Sequence, residues 1–139
     1  MSRKVNKIVK LITGLLIMVP LLCQLFTFEK FSAVLTSAGI PSSLSLPIAI
    51  LLVIAELMSL PFLIDMNISK KAILVSRVSG FLSLGIMTAI GFLAFANGHA
   101  AVMFGATIKN VNNVTAIFLI FVMWVLLICA NLSTKKTAK

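Results

Sequence analysis

The stretch "LLVIAELMSLPFLI", Leu51–Ile64, decides the fold. Apart from Glu56 and Ser59 it is apolar, and extended to Leu46–Asp65 it makes a run long enough to cross a bilayer. A spanning helix needs about 20 such residues, because each adds about 1.5 Å to a hydrocarbon core about 30 Å thick. The remaining sequence supports the same solvent. Of 139 residues, 60% are hydrophobic and 11% charged, with a mean hydropathy of +1.17. Soluble domains average about 25% charged residues, and so small a soluble chain could not bury this much apolar surface.

Four runs meet the length requirement: about 7–28, 46–65, 72–96 and 113–132. The first is basic and then apolar, as in a secretory signal. Its apolar part is too long for one, and no A-x-A-like cleavage site follows, so it reads as a retained helix. No internal repeat, low-complexity tract or second domain interrupts residues 1–139, which read as a single all-α transmembrane domain, a polytopic four-helix bundle.

Charge sets the expected orientation. The net charge is +9, from twelve Lys and Arg against three acids. Arg3, Lys4, Lys7 and Lys10 precede or open the first run; Lys70, Lys71 and Arg77 follow the second; Lys135, Lys136 and Lys139 follow the fourth. Placing these three groups in the cytoplasm leaves only Lys30 and Lys109 outside, as the positive-inside rule requires. Both termini are therefore expected in the cytoplasm, and the protein in the plasma membrane of a bacterium or archaeon. Basic residues flank apolar runs rather than forming a stripe interleaved with aromatics, which argues against nucleic acid as a partner.

Within the first outer connection, Phe31, Val34, Leu35 and Ala38 fall at i, i+3, i+4 and i+7. This spacing predicts a short helix with one apolar face, lying in the outer interface or partly re-entrant. Gly39 is its stop and Pro41 follows. The second outer connection, "NGHAAVMFGATIKNVN", is semi-apolar as well.

Membrane helices pair through small residues rather than through apolar burial. Ser76, Gly80, Ser83, Gly91 and Ala94 make such a row in the third run, which reads as the most enclosed helix, with a dimer face as the competing reading. Pro20 and Pro61 are expected to kink their helices.

Glu56 is the candidate centre. An acid at bilayer depth costs about 2.5–3.5 kcal/mol on insertion scales, so it should face the interior and find a partner. Gln24, Lys30 and Trp124 are the other pocket candidates, with Ser59 one turn from Glu56. Two readings stand: an acid that handles protons or contacts a quinone, and an interhelical hydrogen-bond lock. The lone His99 has too few companions for a metal site, and haem is disfavoured. Cys23 and Cys129 should differ in depth by about 17 Å, beyond the Cα separation of about 7 Å that a disulfide spans. No catalytic or metal-ligating constellation is expected.

The segment "EKFSAVLTSAGIPSSLSLPIAILLVIAELMSLPFLI", Glu29–Ile64, resembles the DoxX-like membrane proteins. The likeness is carried by Lys30, by Gly39-Ile40-Pro41 closing an amphipathic segment, and by Glu56-Leu57 in an apolar helix. The family usually has glycines after the acid, where this chain has "ELMSLPFLI". The resemblance implies an accessory subunit of a membrane redox complex, not catalytic alone, with other membrane subunits or further copies as partners and quinone as the ligand class. A structural or assembly subunit without a small-molecule site is the alternative, and a small channel or transporter a weaker one, since no inverted repeat is present.

Overall fold

The computed structural model describes residues 3–67, 69–97 and 112–135. His99, Lys109, Lys136, Lys139 and most of the second outer connection lie outside them. The described residues form five helices: α1 (Arg3–Phe26), α2 (Phe28–Ser37), α3 (Ser42–Leu63), α4 (Lys70–Ala96) and α5 (Asn113–Lys135). Four of these, over Lys7–Phe26, Ser42–Leu63, Lys70–Ala96 and Val114–Leu132, are long and apolar enough to cross a membrane. The protein is all-helical in these residues, and its environment is a lipid bilayer.

Unlike a soluble domain, the chain is apolar on its outer faces as well as in its core. Lys10, Thr13, Gln24, Ser45, Glu56, Ser59, Ser76 and Ser83 are buried, while Leu15, Leu57, Leu74, Phe92, Phe118 and Phe121 are exposed. Hydrocarbon cannot hydrogen-bond, so polar groups turn toward other protein groups and apolar ones toward lipid. On α1 the inward set is Lys10, Thr13, Gly14, Ile17, Pro20, Leu21 and Gln24, the 3- and 4-residue spacing of one helical face. Helix α1 contacts α3 and α5, and α4 likewise contacts α3 and α5, while α2 packs mainly on α3. Helix α3, not α4, has the largest buried share of the four spans (44% against 39%). It carries Glu56 and the broken backbone of Pro61, and both require enclosure.

The first helix ends at Phe26 rather than near residue 28, because the chain turns at Thr27 directly into α2. The predicted apolar face is present: Phe31, Leu35 and Ala38 are fully buried. That face is spent on the chain's own α3. Gly39, at φ +100°, closes α2. Its N–H donates to the Thr36 carbonyl (3.1 Å) and the Ile40 N–H to the Leu35 carbonyl (3.2 Å), with Leu35 and Ile40 both buried. This is the Schellman arrangement that satisfies the last carbonyls of a helix. Asn97, capping α4, donates from Nδ2 to the Ala38 carbonyl at 2.9 Å and so ties the ends of α2 and α4 together. A Cβ at residue 39 would lie 2.5 Å from that Nδ2.

Helix α3 starts at Ser42, a turn before the predicted Leu46, because Leu44 and Ser45 donate to the Pro41 carbonyl. The serines that look like a connection are its first turn. Near the other end, Pro61 interrupts the hydrogen-bond ladder at the Leu57 carbonyl, and Ser76 of α4 bonds the backbone beside the break. Its hydroxyl accepts from the Phe62 N–H (2.9 Å) and donates to the Ser59 carbonyl (3.1 Å). The small-residue row of α4 permits this approach. Gly80 faces Leu127 of α5 and Ser59 of α3, each 3.5 Å from a Cβ built on it. The face expected either to pack internally or to form a dimer is thus used inside the chain, whereas Gly85 faces open space.

Replacing Ser76 by Ala leaves the buried Phe62 N–H and Ser59 carbonyl without their partner. The expected loss is about 1–3 kcal/mol, read as a lower midpoint of thermal unfolding in detergent. Gly39→Ala forces an L-residue into the left-handed region, at about 1–2 kcal/mol, and collides with Asn97. It should lower the same midpoint, and an unchanged melt would refute the assigned role of the turn.

Candidate functional site

Two polar centres occupy the interior. The first surrounds Glu56, whose side chain is fully buried within α3. Its hydrogen-bonding neighbour is Gln24 of α1, itself fully buried. Neither Glu56 oxygen makes a hydrogen bond of well-formed geometry, although both are sealed from solvent. Ser59 does not reach the carboxyl; its hydroxyl donates to the Glu56 backbone carbonyl at 2.7 Å. The arrangement can hold a proton or a hydrogen bond between helices. It does not open the carboxyl to solvent.

The other two pocket candidates lie elsewhere. Lys30 is exposed on α2. Trp124 of α5 is half-buried, and its indole N–H donates to the Thr88 hydroxyl of α4 at 2.9 Å. Thr88 in turn donates to the Leu84 carbonyl (2.6 Å), and the indole packs at 6.0 Å from the Phe81 ring. Trp124 therefore joins α5 to α4. The indole N–H thus has its partner in a threonine and not in Glu56. Of the four candidates, the structure brings together Glu56 and Gln24.

The second centre lies at the end of the helices that carries the Lys10 and Arg77 clusters. Lys10 Nζ donates to Asp65 Oδ1 at 2.7 Å, joining α1 to the turn that follows α3. The Lys10 side chain is only 7% exposed and that of Asp65 is 48% exposed. Asp65 has φ +59° and repeats the Gly39 turn without a glycine. The Met66 N–H donates to the Pro61 carbonyl and the Asp65 N–H to that of Phe62. Asp is among the few residues that enter this region with little penalty. The Lys10 ammonium and the Arg77 guanidinium lie 5.0 and 5.1 Å from the Phe62 ring centroid. These are cation–π distances. The hydrogen bond from Lys10 holds the Asp65 carboxyl below the usual carboxylate range; its partial burial opposes this, and the charges of Lys10 and Lys7 reinforce it.

Asp65 reads from the sequence as a solvated helix end beside Lys70 and Lys71, so this pairing with Lys10 is missed. The signal was present: Lys10 shares the inward face of α1 with Thr13, Ile17 and Gln24. A lysine on that face needs an acid at its own depth.

Comparison with family models, curated proteins and solved structures finds no match. The two centres therefore stand on their own geometry. Among the described residues, no group of three or more His, Cys, Asp or Glu could hold a metal ion. Neither Cys23 nor Cys129 is in a disulfide.

The pH dependence of Asp65 has a definite sign. A carboxyl depressed in the folded state adds stability above its unfolded pKa of about 3.9, and that stability is lost as pH falls from there through the folded value. The midpoint of thermal unfolding should drop over this acidic window in the native chain. Asp65→Asn keeps the left-handed turn and removes the charge. It should lower the midpoint at neutral pH and erase the acid-dependent drop; retention of the full drop would show that another group titrates.

Proposed function

We propose that this chain is an accessory subunit of a membrane redox complex, not catalytic alone, with both termini in the cytoplasm and α2 at the outer surface. The observation that carries the reading is the Glu56–Gln24 centre, an acid wholly enclosed within a spanning helix and facing an amide on its neighbour. Intramembrane acids are costly, and proton transfer is one of the roles that retains them. The DoxX-like resemblance over Glu29–Ile64 supplies the redox context, in which Glu56 exchanges a proton or hydrogen bond with a quinone-linked partner.

The subunit role has a surface to match. Among the four spans α5 has the smallest buried share, 28%. Among its exposed residues, Val114, Phe118, Phe121, Val125, Ile128 and Leu132 alternate in steps of four and three, with Ile117 beside them. Such a seam fits a neighbouring helix. A second reading, a structural or assembly subunit with no small-molecule site, is favoured by the sealing of both Glu56 oxygens.

Glu56→Gln separates the two, because it keeps the shape and removes the proton. In a complex isolated from native membranes, the redox reading expects unchanged partner association and at least a tenfold drop in quinone-dependent activity, the low end of what a positioned acid–base group supplies. If both are unchanged, Glu56 is an interhelical lock and the structural reading stands. Orientation is checked separately: reporters active only in the cytoplasm should be active when fused at either terminus and silent when inserted in the first outer connection.

A further inference from the structure

At the basic end, α1, α3 and α4 surround a cleft of about 360 Å³. Lys10, Lys70, Arg77 and Asp65 give it polar walls, and Phe62 and Ile73 an apolar floor. Three cations and one acid share this space, and the acid is already hydrogen-bonded to Lys10. The chain has only two other acidic side chains. Glu29 lies in the first turn of α2, and Glu56 lies about 9 Å further along α3 from Phe62. Neither of them lines the cleft.

Two of the cations are also held in place. Lys10 is nearly buried, and both it and Arg77 are set against Phe62. The cleft lies at the ends of the α3 and α4 spans, where a headgroup layer would meet the helices. Beside it, the exposed Leu74 and Val78 flank Arg77 along α4 and continue toward the bilayer interior. The start of α4 adds the positive end of a 27-residue helix.

We propose that this cleft binds the phosphate of an anionic phospholipid from the adjoining leaflet, with Lys70 and Arg77 as its principal contacts and the acyl chains along Leu74 and Val78. Basic pockets between spanning helices select anionic headgroups in this way. Lys10 serves chiefly to fix Asp65 and the wall of the cleft. The site depends neither on the redox reading nor on which side of the membrane the basic end faces.

The test uses the full chain in nanodiscs of phosphatidylcholine, with phosphatidylglycerol of matched chain length titrated in. Phosphatidylglycerol should raise the midpoint of thermal unfolding, and native mass spectrometry should show it retained. Lys70 is exposed in the first turn of α4, so Lys70→Gln leaves packing intact. It should weaken apparent binding about fivefold, the usual effect of one basic contact at a membrane surface. Arg77→Gln should weaken it further. Lys71→Gln is the control, since Lys71 is exposed and does not line the cleft. Equal melting in the two lipids overturns the proposal. So does an equal effect of Lys70→Gln and Lys71→Gln, which would mean diffuse attraction without a site. An identical shift from inorganic phosphate in pure phosphatidylcholine would assign the cleft to a soluble anion and overturn the lipid.

Discussion

Helix α3 carries two features that hydrocarbon does not tolerate, a carboxylic acid and a backbone interrupted by proline. Each unsatisfied polar group in lipid costs several kcal/mol. The remainder of the fold answers this constraint. Helix α1 contributes Gln24 toward Glu56, and α4 contributes Ser76 beside the Pro61 break. Helix α2 covers another part of α3 with Phe31 and Leu35. Helix α5, which touches α1 and α4, has few such obligations and exposes most of its surface.

The two ends of the molecule use the same local solution with different chemistry. Gly39 and Asp65 both hold the left-handed conformation that closes a helix. At Gly39 the missing side chain admits Asn97; at Asp65 the side chain itself forms the tie, to Lys10. Backbone requirement and interhelical contact are thus combined in single residues. In a chain with three acids, assigning one of them to a turn leaves the basic end with excess positive charge.

Much of this is legible in the sequence because it follows from periodicity and charge. The four spans, the apolar face of α2 and the inward-facing Glu56 all express a mean property of a segment. The less legible parts rest on individual geometry. The 3- and 4-residue spacing put Lys10 on an inward face, but its pairing with Asp65 depends on how far α3 extends before it turns. Ser76 reads as one small residue among several in α4, because a hydroxyl that packs and one that bonds the backbone of a neighbouring helix look alike in sequence. The start of α3 was obscured for a similar reason, since serines serve equally in loops and in the first turn of a helix. Trp124 shows the limit of depth arguments: a central indole needs an acceptor, and the hydroxyl of Thr88 supplies it.

The two hydrogen bonds of Ser76 also have a mechanical meaning. Apolar helix faces in lipid can slide past one another at little cost, since the surface lost on one side is regained on the other. A hydroxyl that must meet both Phe62 and Ser59 allows no such freedom, and a displacement of one residue, about 1.5 Å, breaks both bonds. Helices α3 and α4 are thereby pinned in axial register and behave as a single stiff plank. The tie of α5 to α4 through the Trp124 indole and the Thr88 hydroxyl joins side chain to side chain instead, and sets no such register on the backbones.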